Sequence, residues 1–271
     1  MKSVTRKPIV TESVLVRHKD FHSRLLANRR PIIVYLPPGY SKNVRGRYPV
    51  LYLHDGQNVF DQATAANGGT WGADRTASRL IRAGRIQPLI MVGIGHTVNR
   101  LDEYAIHHDP RERAGGKGLL YGQFVIREVK LFIDAHYRTR PGRDHTAIAG
   151  SSLGGLVSLT MAREHHDDFA LCGLVSPSLW WCRCKVFTEL SKGRAWMKRM
   201  RFWVDMGTEE GGRDSGYPSG IAQTRRLIKC FGRSGLLAGA DYQYLEVAGG
   251  EHNEAAWAAR FDRMLLYFFG T

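Results

Sequence analysis

What most limits the folds open to this chain is a series of short, almost uninterrupted apolar runs. Tyr48-Pro49-Val50-Leu51-Tyr52-Leu53-His54 is one, and Leu89 to Ile94, His145 to Gly150, Ala170 to Val175, Phe202 to Met206 and Tyr242 to Val247 are others. Runs of this length without polar alternation fit strands buried on both faces. Helical periodicity fills the gaps. Phe124, Val125, Glu128, Val129, Phe132 and Ile133 recur mostly at i, i+4 spacing; Leu156, Leu159 and Met161 mark a second helix, and Ala255 through Tyr267 a C-terminal one. Buried strands alternating with helices imply an α/β fold, a mostly parallel sheet covered on both faces. Ligands then bind at the carboxyl ends of the strands. Segments 13–17, 23–26 and 32–35, rich in β-branched and large apolar residues, are expected to add antiparallel edge strands. No repeat or linker divides the sequence, so one domain over 1–271 is expected, with residues 1–10 as a flexible tail.

A chain with 43% hydrophobic and 24% charged residues can bury a sizeable core. No apolar run approaches the roughly 18–20 residues of a membrane helix, so no membrane association is expected. Met1 to Pro8 carries positive charge with no apolar stretch behind it, which predicts no secretory leader there. Cys172, Cys182, Cys184 and Cys230 have neither disulfide-framework nor zinc-site spacing, so free thiols and a cytoplasmic setting are expected. The formal net charge of +14 is spread along the sequence, densest at Lys198-Arg199-Met200-Arg201 and at Arg225, Arg226 and Lys229. Without a nucleic-acid-binding signature beside these clusters, a solvated surface is the expectation and nucleic acid is not an expected partner. An anionic substrate is slightly favoured by the charge.

Gly150-Ser151-Ser152-Leu153-Gly154 matches G-x-S-x-G between a predicted strand (145–149) and a predicted helix from 153. That context is what the nucleophile elbow of an α/β-hydrolase requires. It points to Ser152 as nucleophile, with Ser151 as the register alternative. A serine hydroxyl needs a base to take its proton, and this fold orders the triad Ser, acid, His. His252, in Ala248-Gly249-Gly250-Glu251-His252-Asn253, alone follows a late strand and precedes the final helix. The acid should follow the strand ending near Met206. Glu210 is favoured there by its loop position, with Glu209, Asp205 and Asp214 as alternatives.

The oxyanion hole of this fold takes one backbone N–H from the residue after the nucleophile, here Leu153, and one from the end of an earlier strand. His54-Asp55-Gly56-Gln57-Asn58 offers Gln57, with Asn58 next; His54 and Asp55 are expected to hold the loop.

Several segments together resemble the putative esterase family: Val34-Tyr35-Leu36-Pro37-Pro38-Gly39-Tyr40, Tyr48 to Asn58, Tyr137-Arg138-Thr139, Ala147 to Gly155, and Ser176-Pro177-Ser178-Leu179-Trp180-Trp181. That family includes enterochelin esterases, esterase D, feruloyl and acetylxylan esterases and the mycolyltransferases. The resemblance spans roughly residues 20 to 270. It implies a nucleophile at Ser152, a histidine at His252 and an acid at Glu210, shortly past a Gly-Thr pair. Some siderophore-esterase relatives work with a Ser–His dyad. The resemblance also places Arg100-Leu101-Asp102-Glu103-Tyr104 near the cleft and makes Trp180 an aromatic wall beside the nucleophile. Arg100, Trp180 and Asn58 are therefore candidate substrate contacts, core packing being the other reading of Trp180 and Trp181. The expected function is ester hydrolysis through an acyl-enzyme, on a siderophore, acyl-sugar or other small ester, with no metal or organic cofactor. An acyltransferase on the same site and a non-catalytic binding protein are the competing readings.

Overall fold

A computed structural model describes residues 12–65, 69–210 and 219–271. The expected tail 1–10 and Asp214 lie outside the described residues. The strands are β1 (Val14–Ser23), β2 (Asn28–Leu36), β3 (Val50–His54), β4 (Ile90–Ile94), β5 (Thr146–Ser151), β6 (Leu171–Val175), β7 (Arg201–Gly207) and β8 (Tyr242–Val247). They form one eight-stranded sheet in the order β1-β2-β4-β3-β5-β6-β7-β8. β1 pairs antiparallel with β2, and β2 with β4; all other pairs are parallel. Around the sheet lie α1 (Ala73–Arg82), α2 (Arg100–Glu103), α3 (Gly118–Phe124), α4 (Leu131–His136), α5 (Leu153–Glu164), α6 (Trp181–Cys184), α7 (Val186–Ser191), α8 (Gly220–Arg233) and α9 (Glu254–Phe269). A π turn, Val125–Lys130, joins α3 to α4.

Every residue of β3, β4, β5 and β6 is buried, which is why their sequences run apolar without alternation. Successive side chains still face opposite ways. Val50 and Tyr52 enter a core with Tyr121, Leu156 and Phe231, under α3, α5 and α8. Leu51 and Leu53 enter another with Leu80, Phe261 and Leu265, under α1 and α9. Each large apolar side chain so buried contributes about 1.5–3 kcal/mol. Helix α5 is buried from Leu153 through Ala162 and therefore lacks a polar stripe. Its hydroxyls turn inward on the helix itself, Ser158 donating to the Gly154 carbonyl at 2.7 Å.

One expected strand is absent. Residues 23–26 end β1 and turn rather than forming a strand of their own. The cause is local hydrogen bonding. Glu128 accepts from the Ser23 hydroxyl (2.6 Å) and from the N–H groups of Arg24 (2.9 Å) and Leu25 (3.2 Å). Ser23 Oγ in turn accepts from Leu26 N–H at 2.9 Å, and Ala27 adopts φ 51°. Leu25 and Leu26 are apolar because they pack on the core from a turn. The cysteines are free. Among the described residues no helix is long and apolar enough to cross a membrane.

Candidate active site

β5 ends at Ser151, and Ser152 sits between it and α5 with φ 57° and ψ −124°. A non-glycine residue held there costs about 1–3 kcal/mol. Close neighbours must be small: a Cβ on Gly150 would stand 2.8 Å from the Gly154 carbonyl carbon. The turn is pinned from the next strand, Ser152 N–H donating to Val175 O and Ser178 N–H to Ser152 O, both at 3.0 Å. Ser151 is 5% exposed and belongs to the strand.

Two loops past β7 and β8 are laced together beside this turn. Thr208 N–H donates to Val247 O (2.9 Å), Glu209 N–H to Gly250 O (3.0 Å) and Gly249 N–H to Thr208 Oγ1 (2.9 Å). Gly207 permits the approach, since a Cβ there would lie 2.2 Å from Gly250 O. The lacing brings Glu210 Oε2 to 2.8 Å from His252 Nδ1, and His252 Nε2 to 2.9 Å from Ser152 Oγ. The Trp257 ring meets the imidazole edge-on with centroids 5.0 Å apart.

Glu210 is buried, which favours its neutral form, yet donors from His252, Ser176 and the Gly207 N–H hold its pKa below the usual carboxylate value. Its other oxygen, Oε1, accepts from Ser176 Oγ (2.6 Å), Gly207 N–H (2.8 Å) and Arg260 (3.0 Å). Asp205, one of the alternative acids, is committed elsewhere. It is fully buried and takes Arg260 Nε at 2.9 Å and the Trp203 indole N–H at 2.6 Å. Burial, opposed by Arg260, pushes its carboxyl up to about 6. Glu209 is exposed.

The cleft above Ser152 has a volume of about 300 Å³. Arg100 and Asn58 line it, as expected, together with His54, Trp71, Glu254 and Trp257. Arg100 forms a two-pronged ion pair with Asp55, both contacts 2.8 Å. Asp55 N–H donates to the Tyr104 hydroxyl at 3.1 Å, and His54 Nδ1 lies 2.9 Å from Tyr121 Oη. Burial drives the His54 pKa down to about 3, so the ring is neutral. Glu103 points away from the cleft into a buried pair with Arg30 at 2.9 Å. Gln57 lies in the single turn Gly56–Asn58, its side chain accepting from His96 N–H at 3.2 Å. Asn58 N–H is already given to Asp55 O at 2.8 Å, and neither Gln57 nor Leu153 is among the cleft's described lining residues. Leu153 opens α5, where the first N–H groups have no intrahelical acceptor.

Of the two readings of Trp180, core packing is the one its surroundings match. It is half-buried, stacks obliquely on Trp181 at 5.6 Å and packs against the α5-side core, and is not among the cleft's described lining residues. The adjoining backbone accounts for this, since Cys182, Arg183 and Cys184 all take positive φ and carry the segment away over Asp109, which accepts from Cys182 N–H at 2.7 Å. Sequence reasoning passed over Ser176, Trp257 and Arg260. A signal for Arg260 existed, a charge set among Trp257, Phe261 and Met264 on the buried side of α9.

A strand-to-helix serine at the carboxyl end of a central strand, in a sheet of this order, defines an α/β-hydrolase. The chain belongs to the putative esterase family, which matches residues 23–268, and its class is carboxylic ester hydrolase. It is similar to the uncharacterized protein YbbA of Bacillus subtilis (strain 168), 26% identical over 190 residues, covering 68% of this chain and 70% of that protein. Among solved structures it resembles a ferulic acid esterase (TM-score 0.73, 20% identity, 96% of this chain and 98% of that one). It also resembles the enterobactin esterase FES from Shigella flexneri (TM-score 0.73, 17% identity, 94% and 58%). At such identities the structural likeness concerns the fold.

Proposed function

We propose that the chain hydrolyses small carboxylic esters through an acyl-enzyme on Ser152. The observation that carries this reading is the unbroken contact from Ser152 Oγ through His252 to Glu210, 2.9 and 2.8 Å, opening on the cleft. Glu210, surrounded by donors, stays a carboxylate and accepts a hydrogen bond from the His252 Nδ1–H. That leaves Nε2 to take the Ser152 proton as Oγ attacks the ester carbonyl. The N–H groups of Gln57 and Leu153 then receive the oxyanion, a contribution of about 3–4 kcal/mol per donor. The imidazolium returns its proton to the departing alcohol, and a water activated by His252 releases the acid. Arg260 and Ser176 act as positioning residues. By occupying Oε1 they turn Oε2 toward the imidazole, and Arg260 shares its charge between Glu210 and Asp205. Arg100 and Asn58 face the substrate.

The test is p-nitrophenyl acetate turnover by the wild type beside Ser152→Ala. A drop of about a thousandfold or more is expected. Equal rates in the two proteins would sink the assignment. A panel of feruloyl esters, acetylated sugars and a catecholate siderophore then ranks acyl and alcohol groups.

A further inference from the structure

The cleft's charge runs against that of the protein around it. Arg100 is cancelled by Asp55, and His54 is neutral. Glu254 remains. Its Oε1 accepts one neutral amide, Asn58 Nδ2, at 3.0 Å, and no Lys, Arg or His pairs with it among the described residues. Glu254 and His252 line the same cleft. Two indoles share the space: Trp71 and Trp257 both line the cleft, their centroids 6.3 Å apart. Both indoles are nearly buried, Trp71 5% and Trp257 6% exposed, so they act as low-dielectric walls, and a carboxylate in such a partly desolvated pocket attracts an organic ammonium ion by Coulomb energy.

We propose that the cleft selects esters bearing an ammonium group near the scissile bond and discriminates against anionic ones, with Glu254 as the specificity-determining residue. This rests on the hydrolase reading above. It also reverses the expectation drawn from the net charge of +14, because Arg100 is the one Lys or Arg among the cleft's described lining residues and Asp55 pairs with it.

The experiment measures kcat/KM for acetylthiocholine and for its uncharged 3,3-dimethylbutyl thioester isostere, and for p-nitrophenyl butyrate against the p-nitrophenyl monoester of glutarate. The wild type is expected to favour the cation over its isostere and the neutral butyrate over the anion. Glu254→Gln is expected to shrink both ratios about five- to tenfold, whatever happens to the neutral rates. Equal or inverted ratios in the wild type, or ratios unchanged in Glu254→Gln, would overturn the proposal. A binding measurement keeps this separate from catalysis. In the Ser152→Ala background, choline should quench the tryptophan fluorescence at lower concentration than 3,3-dimethylbutanol, and Glu254→Gln should remove the difference. Equal affinities there reject the ammonium preference even if esters are hydrolysed. A clear choline preference with no ester turnover by the wild type rejects the hydrolase reading instead.

Discussion

At the carboxyl ends of β3, β5 and β6 the first residue past each strand adopts positive φ: Asp55 at 56°, Ser152 at 57° and Ser176 at 43°. None of Pro49, His145 or Ala170, which lead into the same strands at the other end, does so. The arginines differ in the same way. At the carboxyl end Arg100 and Arg260 hold the buried carboxylates of Asp55, Asp205 and Glu210. At the amino end the guanidinium groups bond largely to main-chain carbonyls. Arg143 reaches His166 O (2.9 Å), Phe169 O and Arg199 O, Arg47 reaches Thr139 O (3.3 Å) and Arg201 reaches Tyr267 O (2.7 Å). One end accepts strain and buried charge to aim side chains into the cleft. The other closes loops mainly through main-chain carbonyls, with its ion pairs, Arg143–Asp144 and Arg199–Asp167, made to exposed carboxylates. The same strands thus carry the candidate site at one end and loop closure at the other.

That division can be broken most severely at Glu210. Glu210→Gln keeps the shape but offers an amide where the imidazole needs an anion, and kcat is expected to fall about 10²–10⁴-fold with the fold intact by circular dichroism. A loss below about fivefold would mean that Ser152 and His252 suffice as a dyad.

Asp205 sharpens the contrast through pH. Its pKa of about 6 exceeds the roughly 4 of an unfolded aspartate, so the folded state binds this proton more tightly. Its contribution to stability is full below about pH 4 and is lost as pH rises through 6. Relative to Asp205→Asn, the wild type should therefore lose about 1–3 kcal/mol between pH 4 and pH 7, read by urea unfolding at both. A constant difference would show that Arg260 keeps Asp205 ionised throughout.

The smallest effect belongs to the amino end. Arg143→Met should cost about 1–2 kcal/mol of stability by unbonding several carbonyls, with kcat/KM unchanged within about twofold. A large kcat loss at unchanged KM would contradict the separation of the two ends.

The buried strands, the elbow and the residues from which the Ser152–His252–Glu210 contact is made were legible because each depends on short-range pattern: buried apolar runs, small residues at a sharp turn, a polar loop just past a strand. What supports Glu210 was not, because it comes from distant places. Ser176 follows β6, Asp205 lies in β7 and Arg260 is on α9. No local spacing relates them. Trp180 admits two readings from sequence because a large aromatic beside a functional segment reads alike whether it lines a cleft or packs on a core. The strand at 23–26 failed because Glu128, about a hundred residues away, rewards a turn there.

Helix α9 brings Trp257 and Arg260 to Ser176 and Glu210, and buries Phe261, Met264, Leu265, Phe268 and Phe269 as it does so. During synthesis, then, the serine elbow emerges from the ribosome long before the helix that completes its surroundings. A nascent chain stalled ahead of α9 would carry Ser152, Glu210 and His252 but lack Trp257 and Arg260, the partners that bond Ser176 and Glu210 Oε1, so under the proposed mechanism hydrolysis should be weak until α9 docks. If the proposed mechanism holds, a fragment ending before α9, supplied with the helix as a separate peptide, should regain turnover as the helix docks.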